Sequence, residues 1–401
     1  MLSGRLKTIT LQNARLYPVE PDIQRPLEGG LTPDQVPKSF RHFRRGKVYN
    51  AGVRDEYLAA DHDELKGTFI YAGVYAGHFG HMIAEFSHRL WPLERYGDDH
   101  PEVLICGRDS EPYVADYVNQ IFSYLGVKKF RVITKPTRVE KLIVAEQGKQ
   151  IGVASKKAYL NYVANLAERN RLFSAFNGPE KIAVLRNHLP ARSIVGENEL
   201  AEFLERQGYT LFRPEEHDLI SQFKTLANAR LIIMADGTPA HLFDLLPPTR
   251  ARVFYYGRNR TFKLGVSSVG TKVADFINHL EATNLVLSLT PDGTYLRRSK
   301  NRSLLYLSMA AMTAEMKRCG FVNDTLPDVG PDIIARDVIG ALDSRLPGFK
   351  EGHSPETLAI AEITRSHYEI SQKFLRLKRR TAALKTVRGL WAAFLKKLRL
   401  N

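Results

Sequence analysis

Three side chains of complementary chemistry stand four residues apart in this sequence: His81, Glu85 and Arg89. On a helix that spacing sets a base, an acid and a cation in one row. An imidazole beside a carboxylate suits proton transfer near neutral pH. Gly77 and Gly80 flank His78 where the helix starts, and two missing side chains let a ligand approach the backbone closely. The same row also reads as a solvated polar face whose i,i+4 pair contributes only about 0.3–0.5 kcal/mol. A further alternative makes His78, His81, Glu85 and His88 the ligands of a metal-dependent hydrolase, although the His-Glu-x-x-His order of a zinc protease helix is missing.

A second group lies in the other half of the chain: Arg186, Arg192, Glu197 and the run Asp236-Gly237-Thr238-Pro239-Ala240-His241. The apolar stretch 230–235 reads as a strand that delivers Asp236-Gly237 to the carboxyl edge of a sheet. Thr238 as N-cap and Pro239 at the first helical position then start a helix, whose unpaired N–H groups and dipole favour an anion. Arg186, at the end of its own strand, has the reach and the forked donors to clamp a diphosphate. An ordinary strand-to-helix turn with a capping threonine accounts for the same spacing. There is no Gly-x-Gly-x-x-Gly after a strand and no phosphate-binding Walker loop, so a nicotinamide enzyme or P-loop ATPase lacks its fingerprint.

The elements that must position these residues follow from periodicity. Residues 1–65 read as an irregular lead-in with a short strand near 47–51, and 67–71 as a strand entering a helix that ends near 97. Strands at 102–107, 130–133 and 141–145 alternate with helices at 112–125 and 153–173. After the breaker Asn177-Gly178-Pro179-Glu180 come strands at 181–186, 209–213, 230–235 and 252–256, with helices at 196–207 and 215–228. Strand and helix alternating at this pitch means parallel sheet in both halves. The expected divisions are an acceptor-side α/β domain over 1–176, a second α/β domain over 177–275, a helical or irregular extension over 276–370 and a basic amphipathic helix over 371–401.

Composition narrows the partners. Two cysteines, Cys106 and Cys319, exclude a disulfide scaffold and fit a reducing compartment. No run of about 18 apolar residues is present. No apolar leader is read in residues 1–18, so a cytoplasmic location is expected. Of the net charge of +15, ten Lys or Arg and no acid fall between Ser371 and Asn401. Interleaved with Trp391, Phe394 and several leucines, they suggest an anionic membrane surface, with a C-terminal helix packed on the body as the alternative and nucleic acid third because of the broad apolar face.

At these two places the sequence resembles glycosyltransferase family 61, and more closely its bacterial, capsule-type branch. The resemblance rests on Phe79-Gly80-His81-Met82-Ile83-Ala84-Glu85 with Arg89-Leu90-Trp91. It rests equally on Arg186, Arg192, Glu197-Asn198, Asp236-Gly237-Thr238 and Pro247-Pro248, and spans about residues 67–257. Asp236 departs from the pattern, since many members carry histidine before that glycine, while here His241 follows Gly237 by four residues. The resemblance implies two Rossmann-like, GT-B-like domains. It also implies inverting transfer from a nucleotide-sugar to a glycan or lipid-linked glycan, in capsular or surface polysaccharide synthesis. On that footing His81 or Glu85 is the base, and His78 and Arg89 line the acceptor cleft. Arg186, Arg192, Glu197, Asp236, Gly237, Thr238 and His241 hold the donor, with Asp236 turned to sugar or ribose hydroxyls because a carboxylate repels a diphosphate. No cofactor or metal is expected, because arginines meet the leaving charge and no Asp-x-Asp cluster is read. The enzyme would sit on the inner membrane face through 371–401. A non-catalytic membrane-associated scaffold is the remaining alternative.

Overall fold

The computed structural model describes residues 5–19, 27–75, 77–109, 112–174, 176–189, 194–256, 265–279, 282–285, 304–330, 332–334, 336–337 and 340. By contact the chain divides into two compact units, Met1–Leu185 with Leu204–Leu280, and Arg186–Phe203 with Glu281–Asn401. The architecture is mixed α/β with sheets rich in parallel strands.

The first unit starts with β1 (Thr8–Tyr17) and the short strands β2 (Leu27–Glu28), β3 (Gly30–Leu31), β4 (Phe43–Arg44), β5 (Lys47–Val48) and β6 (Asn50–Gly52). Helix α1 (Asp55–Ala59) leads into the long strand β7 (Asp63–Val74), followed by the single turn α2 (Phe79–His81). Then come β8 (Glu102–Cys106), α3 (Asp116–Leu125), β9 (Phe130–Ile133), β10 (Thr137–Ala145) and α4 (Lys157–Arg169). The first sheet has the order β3-β1-β10-β7-β8-β9. Its right-hand four strands are parallel, but β1 runs antiparallel on β10, from Thr8 opposite Ala145 to Leu16 opposite Thr137. The sheet is therefore mixed rather than wholly parallel, and β1 lies where periodicity suggests an irregular lead-in. Asn13, with φ of 52°, breaks the inward–outward alternation that would have marked the strand.

The second sheet is wholly parallel, in the order β13-β11-β14-β15-β16: Thr210–Leu211, Lys181–Val184, Leu231–Ala235, Arg252–Tyr256 and Asp275–His279. Helix α6 (Leu219–Asn228) starts where Asp218 accepts the Ser221 N–H at 2.9 Å. The residues 177–180 fall between the two sheets, and the apolar core runs through both. Tyr124 of α3 meets Phe223 of α6 at 4.4 Å between ring centroids and donates its hydroxyl to the Leu245 carbonyl at 3.1 Å.

In the second unit β12 (Ile194–Val195) runs parallel to β18 (Leu304–Leu307), which pairs antiparallel with β17 (Ala282–Leu285). Gly196 (φ +77°) donates its N–H to Asp337 at 2.8 Å and opens α5 (Glu197–Arg206). Ser308 caps α7 (Met309–Arg318) by accepting from the Ala311 N–H at 3.1 Å. The basic stretch 371–401 lies outside the described residues. Among the described residues no helix is long and apolar enough to cross a membrane.

The stretch after β7 departs from a single helix. After α2 the chain widens into a π-turn over Met82–Phe86, tightens to 3₁₀ over Ser87–Arg89, and continues as 3₁₀ over Trp91–Arg95. The Ser87 hydroxyl bonds back to the Ile83 carbonyl at 3.0 Å, and Pro92 cannot supply an N–H to continue a helix. Arg89 and Trp91 then fasten the segment to the end of β10. Arg89 donates to the Ala145 carbonyl, and Trp91 Nε1 to the Glu146 carbonyl at 3.0 Å.

Gly148 completes that fastening: its N–H donates to the His88 carbonyl at 3.0 Å and its carbonyl accepts from Lys156 at 2.9 Å. A methyl group there would fall 1.9 Å from the Tyr159 ring. Gly148→Ala is expected to cost about 1–3 kcal/mol of stability in chemical denaturation, through overpacking. An unchanged denaturation midpoint would contradict this packing.

Candidate active site

Glu85 is fully buried, and a buried carboxylate is tolerable only when surrounded by donors. Oε1 accepts from His81 Nδ1 and stands 2.9 Å from an Arg44 terminal nitrogen. Oε2 accepts from His42 Nε2 at 2.9 Å and from Arg44 Nε at 2.9 Å. The Arg44 fork thus grips both oxygens. Burial pushes the Glu85 carboxyl up, but the hydrogen bonds from His42 and His81 and the Arg44 charge outweigh it and hold the group well below the carboxylate range. His42 is itself shifted down, first by burial, against the opposing pull of Glu85.

The bond to Glu85 sets the orientation of the His81 ring. With Nδ1–H given to the carboxylate, Nε2 carries the lone pair and is the nitrogen left for a ligand. An Arg44 nitrogen lies 3.2 Å from Nδ1, but a guanidinium only donates, so its hydrogen bonds belong to Glu85. His78, exposed just before α2, sets its ring edge-on to His81 at 5.0 Å.

His42 and Arg44 belong to the Glu85 cluster, and helical spacing does not reveal them. They arrive from the β4–β5 hairpin, whose two-residue loop Arg45-Gly46 has φ of 52° and 79°, the hand of a type I′ turn. His42 stacks on Phe86 at 5.2 Å, and the Arg44 guanidinium lies 3.6 Å from the centre of the Tyr49 ring. The one local signal is the residue–glycine pair between short strands, set in a cluster of basic residues.

Gly80 joins the two groups of candidates. A Cβ on Gly80 would stand 3.0 Å from Thr238 Cγ2, 3.2 Å from His241 Cδ2 and 3.2 Å from His78 Cε1. The missing side chain therefore lets the turn after β14 close on α2. Gly237, extended at φ −179° and ψ −177°, is the N-cap in place of Thr238, and the helix it opens over Thr238–Leu245 is 3₁₀. Asp236 is buried and accepts the Tyr255 hydroxyl proton. His241, also buried, sets Nδ1 at 3.3 Å from Asp244 Oδ2.

The other candidates stand as follows. Arg89 does not extend the His81–Glu85 row, because the π-turn alters the angular step between residues. Its guanidinium is buried on the Ala145 and Arg41 carbonyls, burial lowering its pKa to about 10, and it lines a crevice with His42, Asn50 and Tyr71. Arg186 follows β11 by two residues and belongs to the second unit. Glu197, in the same unit, is buried at the start of α5. Arg192 lies outside the described residues. His88 parts from His81 and Glu85, pairing through Nδ1 with the Tyr159 hydroxyl at 2.7 Å. Among the described residues no three His, Cys, Asp or Glu are grouped to hold a metal. An Asp-x-Asp spacing is present after all: Asp61-His62-Asp63 ends on the first residue of β7, roughly 35 Å along the strand from the end that leads to the site.

Residues 79–252, somewhat under half of the chain, match the family model described as Glycosyltransferase 61. The match begins at α2 and ends at the first residue of β15, so it takes in both histidine–carboxylate pairs. No curated protein matches the chain. The matched stretch is similar to glycosyltransferase family 61, which supports a glycosyltransferase activity for the protein.

His88 gives this region a pH signature. Burial is the main cause that depresses its pKa to about 3, with Asp244 opposing and Lys149 and Lys272 assisting. The unfolded chain takes up this proton first, near the ordinary value of about 6.5. The stability contributed by neutral His88 is therefore complete above that value and is lost as pH falls toward 3, at up to about 1.4 kcal/mol per pH unit. Denaturation of His88→Gln between pH 7 and 5 is expected to show a flatter acid slope than wild type. An identical slope would contradict the assignment.

Proposed function

We propose that this glycosyltransferase acts with inversion, moving a sugar from a nucleotide-sugar to a hydroxyl of a glycan or lipid-linked glycan, with His81 as general base. The observation that carries the proposal is the buried Glu85 anion bonded to His81 Nδ1. A carboxylate gripped by His42, His81 and Arg44 is a poor proton acceptor, so the proton of the acceptor hydroxyl goes to His81 Nε2. The acceptor oxygen then bonds the anomeric carbon from the face opposite the departing diphosphate, which leaves with the electron pair of its bond to that carbon.

In this reading the first sheet serves the acceptor and the second sheet the donor, a GT-B-like division of labour. The Gly237–Thr238 turn, packed on Gly80, offers its helix N-terminus to the diphosphate. Arg186, Arg192 and Glu197 are assigned to the donor by the family resemblance alone, with arginines rather than a metal to meet the leaving charge. Asp236, engaged with Tyr255, would order that turn and reach sugar hydroxyls rather than phosphate. The basic stretch 371–401 would hold the enzyme on an anionic cytoplasmic membrane face, where capsular or other surface glycans are assembled.

His81→Ala is expected to lower transfer at least about 100-fold, the range of a lost general base. The same variant should keep the rise in melting temperature that the preferred nucleotide-sugar gives wild type. Unchanged turnover in this variant would overturn the role of His81.

A further inference from the structure

The base alone leaves a second buried charge system unused. Lys149 and Asp244 are both wholly buried, and Lys149 Nζ stands 2.8 Å from Asp244 Oδ1 as an ion pair rather than an aligned hydrogen bond. The ammonium is further satisfied by the Val153 carbonyl at 3.1 Å and the Ser267 carbonyl at 2.9 Å. Two hydrogen bonds to carbonyls and the ion pair to Asp244 fix its position. Burial pushes Asp244 up, but Lys149 and the hydrogen bond from His241 reverse this and keep it an anion. Nearby Lys272 gives its ammonium to the Leu246 carbonyl at 2.5 Å, and burial brings its pKa down to about 7.

Burying such a pair costs several kcal/mol per ion, and apolar residues would pack the same space more cheaply. The pair faces the site through His241. With Nδ1 turned to Asp244 Oδ2 at 3.3 Å, Cδ2 on the opposite ring edge lies toward Gly80, 3.2 Å from a would-be Cβ. His78 and Thr238 meet the same glycine. Two histidines, His81 next to Gly80 in the chain and His241 packed on it, thus each face a buried carboxylate, and each carboxylate is held by a cation from a distant segment: Arg44 for Glu85, Lys149 for Asp244.

We infer that Lys149 and Asp244 are positioning residues that hold His241 so that Nε2–H contacts the departing phosphate oxygen. The inference rests on the proposed transfer reaction and deepens it. As the bond between the anomeric carbon and the phosphate oxygen breaks, its electron pair goes to the diphosphate. His241 in its imidazolium form donates a hydrogen bond from Nε2 to that oxygen while Nδ1–H remains on Asp244, and no proton leaves the ring. His81 takes the acceptor proton; His241 meets the leaving charge. A donor aimed where charge develops is worth far more in a water-poor site than in solution.

The test compares two donors in the full-length enzyme. One is the sugar nucleotide that wild type turns over from a panel of UDP-, GDP- and dTDP-linked sugars. The other is the dinitrophenyl glycoside of the same sugar and anomer, whose phenolate leaves without help. His241→Ala is expected to lose about 100-fold in kcat with the sugar nucleotide, as for removal of one such donor, and less than about threefold with the aryl glycoside. Lys149→Met and Asp244→Asn should lose about tenfold with the same selectivity, and His241→Gln, which keeps an N–H, should recover part of the loss. Equal losses with both donors, or no loss, would overturn the inference while leaving the transfer reaction standing. If either positioning variant fails to fold, the comparison of His241→Gln with His241→Ala still decides the matter. If wild type uses no sugar nucleotide, the underlying reaction falls, and this inference with it.

Discussion

The carboxylate of Glu85 is the constraint around which the site is built. Moving such an anion out of water costs several kcal/mol, and removing a partner from a buried pair leaves a charge that destabilises by about 3–5 kcal/mol. Its donors come from segments about forty residues apart: His42 and Arg44 from the β4–β5 hairpin, His81 from the turn after β7. The hairpin must therefore fold onto the π-turn before the site exists, and Phe86, stacked on His42, ties the apolar core to the same event. What the interaction yields is a histidine whose tautomer and direction are both set. Packing and chemistry are linked through one side chain.

Gly80 is the second constraint. It is the point at which the turn after β7 and the Gly237–Thr238 turn after β14 come within van der Waals reach. A glycine is required there by space rather than by φ, because Thr238 and His241 occupy the room a methyl group would need. The separate apolar halves are joined beneath this contact by Tyr124 and Phe223, so the two turns are presented by one continuous core rather than by opposed loops. That continuity suits a reaction in which a base and a leaving-group donor must act on opposite faces of one carbon.

How much of this was legible in the sequence depends on the range of the interaction. The spans 130–133 and 252–256 stand where apolar runs place strands, and the His81–Glu85 bond follows from a four-residue spacing that survives the π-turn. Arg89 shares that spacing but not the outcome, because the change to a 3₁₀ turn and the fastening to β10 carry it into the core. His42, Arg44 and Lys149 leave no periodic trace. Their role exists only once a hairpin or a loop has folded against residues far along the chain, and single-sequence patterns report local geometry alone. Thr238 illustrates a smaller shift: the capping residue chosen by type is displaced one position, since the extended Gly237 takes the cap and Thr238 gives its methyl to the Gly80 contact.

The most direct measurement is chemical rescue of the base. In His81→Gly, free imidazole can occupy the space of the lost ring beside Glu85 and accept the acceptor proton. Transfer from the nucleotide-sugar is expected to rise with imidazole concentration by about tenfold or more over the unassisted variant, within the range of general-base catalysis. No recovery, in protein that still binds the nucleotide-sugar and melts as wild type does, would contradict the assignment of His81, braced by Glu85, as the base of glycosyl transfer.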